Sequence, residues 1–169
     1  MKKLLPKLLG YRAVNGFSFL FICVILAIAG YAQIHYQLEP CPLCVMQRIL
    51  LAILGLLFIF GFLYVGGKRS RQILHSIIFI FALLGIAIAS RHIYLQHLPP
   101  ELVPSCGPGL NFIVKNLPPG EALRMILMGS GECSKIEWHF LGLTIPEWSL
   151  ICFILLSVAA IIQFLREKV

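Results

Sequence analysis

The chain reads as four long apolar blocks with polar stretches between them. Residues 13–32, 42–64, 73–90 and 148–165 are almost wholly apolar. A helix needs about 20 residues to cross the hydrocarbon of a bilayer, so each block predicts a membrane-spanning helix. The polar remainder falls into a basic start, a short loop at 33–41, a tight basic turn around Lys68-Arg69-Ser70-Arg71, a long loop at 91–147 and a basic end. The first block raises the alternative of a cleaved signal peptide, because Ala27-Ile28-Ala29 mimics a cleavage site. It is longer than the roughly 7–15 residues of a signal core, and further spans follow. A retained first helix is expected.

The long loop is not uniform. Pro99 to Gly109 holds four prolines and two glycines and is expected to be extended and exposed rather than a helix or central strand. After Pro118-Pro119-Gly120, residues Glu121 to Met128 predict about two helical turns before Gly129. They are too apolar for a soluble loop and too short to span, which reads as a helix lying in the membrane interface. Trp138, Phe140, Leu143 and Trp148 read as interfacial anchors returning the chain to the bilayer. The predicted architecture is one all-α integral membrane domain over residues 1–169. It is a four-transmembrane-helix bundle with a long outer loop carrying a short interfacial helix.

Composition agrees. Of 169 residues 59% are hydrophobic and 12% charged, with a mean hydropathy of +0.91, whereas soluble domains are about a quarter charged. The net charge of +7 does not point to nucleic acid, because the basic residues flank the apolar blocks and are not interleaved with aromatics. Nine of the fourteen Lys and Arg lie in the N-terminus, the 66–72 turn and the C-terminus. Four spans put those segments on one side, the cytoplasm by the positive-inside rule. Six of the seven acids fall in or beside the other two loops, as do Cys41, Cys44, Cys106 and Cys133. Those cysteines therefore face a compartment in which disulfides persist. Cys23 and Cys152 lie inside spans and read as packing residues.

The chemistry centres on Cys41-Pro42-Leu43-Cys44 at the mouth of the second block. Pro42 suits the first helical position, and a helix N-terminus favours a thiolate over a thiol. Arg48 lies one turn beyond Cys44 on the same face, where its cation can stabilise a thiolate or an anionic ligand beside it; the bland alternative is a snorkelling interfacial arginine. A Cys-x-x-Cys pair also serves as half of a zinc site. Zinc takes four ligands, usually from a second such pair or a histidine pair; no second Cys-x-x-Cys is present in sequence, and no metal is expected. Cys106 and Cys133, taken alone, read as a static bridge. With the Cys-x-x-Cys pair on the same face they read as the second dithiol of a relay.

Together these residues resemble the DsbB family of bacterial disulfide-generating membrane proteins. The resemblance rests on four spans, Cys41-Pro42-Leu43-Cys44, Arg48, the pair Cys106 and Cys133, and the stretch from Trp138 to Trp148. It implies a protein-dithiol:quinone oxidoreductase of the inner membrane that reoxidises a periplasmic DsbA-like partner, with both termini cytoplasmic. By position, Cys106 would take the mixed disulfide with that partner and Cys133 would be its loop partner. Cys41 would exchange with Cys133, while Cys44 meets the ring of ubiquinone or menaquinone and Arg48 supports the charged species. Arg91 resembles a family position at the outer end of span three; His92 and His97 are expected to be solvated interfacial histidines. DsbA lies near −120 mV and glutathione-type couples at about −180 to −210 mV, so reoxidation by the latter runs uphill by ~3–4 kcal/mol. A stronger acceptor such as quinone fits, and no Rossmann or flavin motif offers a protein-bound one. Two other readings are a vitamin K epoxide reductase-like enzyme, which usually carries its pair near a later span, and a non-catalytic four-helix subunit with one structural disulfide.

Overall fold

The computed structural model describes residues 4–35, 41–64, 66–103, 110–134 and 139–168. Four long helices carry the fold: α1 (Leu4–His35), α2 (Pro42–Leu63), α3 (Lys68–Gln96) and, at the end of the chain, α6 (Ile145–Lys168). All four have stretches long and apolar enough to cross a membrane. Helices α1, α3 and α6 run past the apolar blocks that predicted them, while α2 coincides with its block to within one residue. Helical hydrogen bonding continues into the polar flanks, where Lys68, Arg69 and Arg71 open α3 and Arg91, His92 and Gln96 close it.

The helices pair α1 on α2, α2 on α3 and, most extensively, α3 on α6. Their shared core is Ile22, Leu50, Leu51, Leu54, Phe58, Ile78, Ala82, Ala89, Phe153 and Leu156. Gly85 explains the intimacy of α3 and α6: a Cβ there would stand closer than 3.0 Å to the Phe153 ring. Small residues that let backbones approach are the usual means of joining helices in lipid. Large apolar side chains such as Phe17, Leu56, Ile80 and Leu155 remain exposed on the outside of the bundle, a surface that suits hydrocarbon rather than water. Cys152 is buried in α6, as expected of a packing residue, whereas Cys23 faces outward from α1.

The outer loop contains more regular structure than its sequence suggests. Residues Pro100–Leu102 form a 3-10 turn instead of extended chain, closed by the Leu102 N–H on the Pro99 carbonyl at 2.9 Å; proline is tolerated at the start of such a turn because it has no amide to leave unpaired. Helix α4 (Leu110–Asn116) was not anticipated, and α5 (Pro119–Met128) covers the predicted interfacial segment. On α5 Ala122 is buried while Leu123, Leu127 and Met128 are exposed. A second 3-10 turn follows at Gly131–Ser134. A two-residue hairpin, β1 (His139–Phe140) and β2 (Leu143–Thr144), turns through Leu141 and Gly142, whose φ values of 53° and 80° match the twist of a type I′ turn. It delivers Thr144 to the start of α6. There the Thr144 N–H donates to Glu147 Oε2 at 2.6 Å and its hydroxyl donates to the same oxygen at 2.9 Å, a capping-box arrangement. The hydroxyl also lies 3.1 Å from the Gln96 side-chain amide, tying the start of α6 to the end of α3.

Candidate functional site

The site forms at the end of the bundle where α2 begins and α3 ends. Cys41 is the N-cap of α2, with an extended backbone (φ −62°, ψ 157°) that Pro42 at the first helical position then converts to helix. Its sulfur accepts from the Cys44 N–H at 3.3 Å, so one of the unpaired amides of the helix start is satisfied by the dithiol itself. Cys41 Sγ and Cys44 Sγ are free thiols 2.7 Å apart. Cys41 is buried and Cys44 half-buried.

Cys133 comes to the same point from the far end of the outer loop. The 3-10 turn carrying it is closed by its own N–H on the Ser130 carbonyl at 2.8 Å. The sulfur packs with Cys41, Leu43 and Leu95 in a small buried cluster and is fully buried. Gly129 permits the approach. Its φ of +78° is left-handed, and a Cβ there would stand closer than 3.0 Å to Leu95 Cδ1.

Charge is divided unequally between the two sulfurs. The Cys133 thiol is lowered to about 6, first by the hydrogen bond it accepts from Cys41. The Ser130 amide, the Leu43 amide in the first turn of α2 and the Ser130 hydroxyl reinforce this, against the opposing effect of burial. Cys41 moves upward, because it donates to Cys133 and to Cys44 and is buried besides. Between these two thiols, negative charge is favoured on Cys133 and disfavoured on Cys41. The helix start thus serves Cys133 through Leu43 as well as the Cys-x-x-Cys pair, which the sequence pattern alone did not suggest.

His92 corrects an expectation. It was read as a solvated interfacial histidine, but it is 3% exposed. Its Nε2 lies 3.7 Å from Cys41 Sγ and its Nδ1 3.1 Å from the amide nitrogen of Gln47, itself buried. The cause is rotational: His92 lies on the same buried face of α3 as Ala89 and Leu95. His97, by contrast, is exposed, with Nδ1 2.9 Å from the Ile93 carbonyl oxygen. Gln47 was missed altogether. The available signal was a lone amide in an apolar helix, a residue that in a membrane bundle points inward to a partner.

Arg48 is half-buried and crosses to α1, where its guanidinium donates to the Gln33 side-chain oxygen and, at 3.3 Å, to the Ala29 carbonyl. These bonds tie it from α2 to α1, so it is not a free snorkelling cation. Arg91 donates to the Met128 carbonyl at 3.2 Å and lies 5.3 Å from the Tyr94 ring centroid, pinning α5 to the end of α3. Cys106 and Trp138 lie outside the described residues.

Three cysteine sulfurs gathered at the mouth of an apolar four-helix bundle define a class: integral membrane proteins built for thiol–disulfide chemistry. Comparison with known proteins narrows it. A family model described as "Disulfide bond formation protein DsbB" matches residues 11–163. The chain is 42% identical to a Disulfide bond formation protein B of Nitrosococcus oceani, over 94% of both chains. It is 43% identical to one of Methylococcus capsulatus, over 87% of this chain and 90% of the relative. A third, from Acinetobacter baumannii, is 41% identical over 94% of this chain and 93% of the relative. The chain belongs to the DsbB family. It is a multi-pass membrane protein of disulfide bond formation, and the family speaks against the vitamin K epoxide reductase-like reading.

Proposed function

We propose that the chain oxidises a DsbA-like thioredoxin-fold dithiol protein in the periplasm and passes the electrons through two cysteine pairs to membrane quinone. Both termini and the Lys68–Arg71 turn lie in the cytoplasm on this reading, and the loop cysteines outside. The observation that carries it is the seating of Cys133 beside Cys41, from the two ends of the chain's outer region, with Cys41 also 2.7 Å from Cys44.

The steps are exchanges in which one S–S bond forms as another breaks. A partner thiolate attacks Cys106 of a Cys106–Cys133 disulfide and releases Cys133 as thiolate. The Ser130 and Leu43 amides and the Ser130 hydroxyl hydrogen-bond its sulfur and favour the thiolate, the nucleophilic form. It attacks Cys41 of a Cys41–Cys44 disulfide and releases Cys44. Cys44 then stands at the half-buried edge of the site, one turn before Arg48. The partner's second thiol displaces Cys106 and leaves the partner oxidised; Cys106 then attacks Cys133 of the Cys41–Cys133 disulfide, re-forming the loop bridge and releasing Cys41 as a thiol beside Cys44.

A quinone headgroup would be held beside Arg48. Arg48 uses donors on Gln33 and Ala29 and retains others for a ring oxygen, and exposed Ile49 beside it offers an apolar wall open to lipid. A bound quinone supplies an acceptor for two electrons and two protons, which is what the partner dithiol gives up. Arg48 orients the acceptor and favours negative charge near Cys44.

Trapping tests this reading. In Cys133→Ala, Cys106 cannot be released by its loop partner, so incubation with the reduced partner under mild oxidation accumulates a Cys106–partner mixed disulfide. A non-catalytic subunit with a static bridge gives no such adduct.

A further inference from the structure

The sequence alone points to no metal site, because no second Cys-x-x-Cys accompanies Cys41 and Cys44. The fold supplies what sequence spacing withholds. Cys41 Sγ, Cys133 Sγ and a ring nitrogen of His92 all lie within 4.8 Å of one another, and all three residues are buried. They come from three separate parts of the chain: the cap of α2, the 3-10 turn of the outer loop and the last turns of α3.

The Cys41–His92 spacing matches tetrahedral coordination, and the other two separations are within 4.8 Å. Zinc–sulfur and zinc–imidazole bonds of about 2.3 and 2.0–2.1 Å put sulfur and nitrogen ligands about 3.6 Å apart, and two sulfurs about 3.8 Å apart. The Cys41 Sγ–His92 Nε2 distance is 3.7 Å. Cys44 is excluded as a fourth ligand where it stands, since its sulfur is only 2.7 Å from that of Cys41. The donor set of two thiolates and an imidazole is the one borderline-soft cations prefer.

The surroundings fit as well. Metal-bound histidines almost always have their other ring nitrogen held by a neighbouring polar group, and Gln47 stands 3.1 Å from Nδ1. With the Gln47 amide donating to Nδ1, Nε2 carries the ring proton. Coordination through Nε2 moves that proton to Nδ1 and turns the amide so that its oxygen accepts, a flip that changes no backbone position.

We propose that the thiol form of this protein binds one borderline-soft divalent cation, such as Zn2+, through Cys41 Sγ, Cys133 Sγ and His92 Nε2, with a fourth position open to water. Two sulfur–metal bonds form and the two thiol protons pass to solvent, with no change of oxidation state. Any disulfide that includes Cys41 or Cys133 removes the site, so the bound ion marks the reduced protein and blocks sulfur exchange until a chelator removes it. This rests on the free thiols and the histidine alone, not on quinone or on a particular partner.

The test uses full-length protein in detergent, reduced with a non-thiol phosphine under anaerobic conditions and titrated with Co2+, then competed with Zn2+. One equivalent per chain should develop the sulfur-to-metal charge-transfer and intense visible bands of tetrahedral thiolate coordination. Protein oxidised to its disulfides should develop neither. Cys41→Ser and Cys133→Ser should lose the bands, while Cys44→Ser and Cys106→Ser keep them. Gln47→Leu, which spares every ligand, should weaken binding by about 10–100-fold, and His92→Ala should weaken it further. The proposal is overturned if reduced wild-type protein gives no such spectrum, or if Cys41→Ser and Cys133→Ser together retain it. Equal affinity in His92→Ala and wild type overturns the assignment of the histidine.

Discussion

Replacing Gly129 by alanine should undock Cys133 from Cys41 without unfolding the bundle. Two costs add at that position. The φ of +78° is left-handed, which costs a residue with a Cβ roughly 1–2 kcal/mol. The new Cβ would also press on Leu95 Cδ1 at under 3.0 Å and touch Leu43 Cδ1 at 3.4 Å, an overpacking of the kind that costs about 1–3 kcal/mol. Together they weaken docking by about 2–5 kcal/mol, or roughly 30- to 4,000-fold at 1.4 kcal/mol per decade. The cost falls on the 129–134 segment, because the four long helices do not depend on that turn. The assay keeps only Cys41 and Cys133 and equilibrates their disulfide against a glutathione buffer, which reads the effective concentration of one sulfur at the other. Gly129→Ala should lower that concentration by at least tenfold. Adding Leu95→Ala removes the steric share and should restore part of it, leaving the backbone share. An unchanged effective concentration in Gly129→Ala, or no recovery with Leu95→Ala, would refute the close-docking argument.

Other consequences follow from the same contacts. Loss of a charged hydrogen-bonding group costs about 1.5–3 kcal/mol, so Arg48→Met should raise the quinone KM by roughly tenfold or more; Arg48→Lys should fall between, and Gln33→Ala, which frees the guanidinium, should move KM in the same direction. Gly85→Ala should lower the thermal stability of the detergent-solubilised protein by about 1–3 kcal/mol, with recovery when Phe153 is shortened to leucine, because the two share one contact between α3 and α6. Thr144→Ala removes the hydroxyl's part in the α6 cap and its link to Gln96 and should cost about 1 kcal/mol, read as a lower melting temperature with sulfur exchange at Cys41 unchanged.

The fold was largely legible because lipid imposes one rule, a long apolar helix for each crossing, and four blocks obeyed it. The ends of those helices were less legible, since hydropathy falls before hydrogen bonding does; α3 runs on through Arg91 and His92 to Gln96. The dithiol was visible at Cys41 and Cys44 because its four residues are contiguous. The third member, Cys133, was visible as a cysteine but not as a fully buried one packed against Cys41, Leu43 and Leu95. His92 and Gln47 were hidden for a different reason. A helix apolar on every side gives no periodic signal for the face that meets its neighbours, and the pair is 45 residues apart in sequence. Arg48 pointed correctly to the mouth of α2, yet its partners on α1 depend on how two helices cross.

The central claim is that electrons travel from a soluble dithiol through Cys41 and Cys44 to quinone. Its most direct test is anaerobic: a reduced DsbA-like protein is mixed with quinone in detergent, with and without this chain, and quinol and partner disulfide are counted together. The expected result is one quinol per partner disulfide, at a rate proportional to the chain present and abolished by Cys44→Ser. Partner oxidation without quinol, or quinol formation at the same rate with Cys44→Ser, would contradict the account.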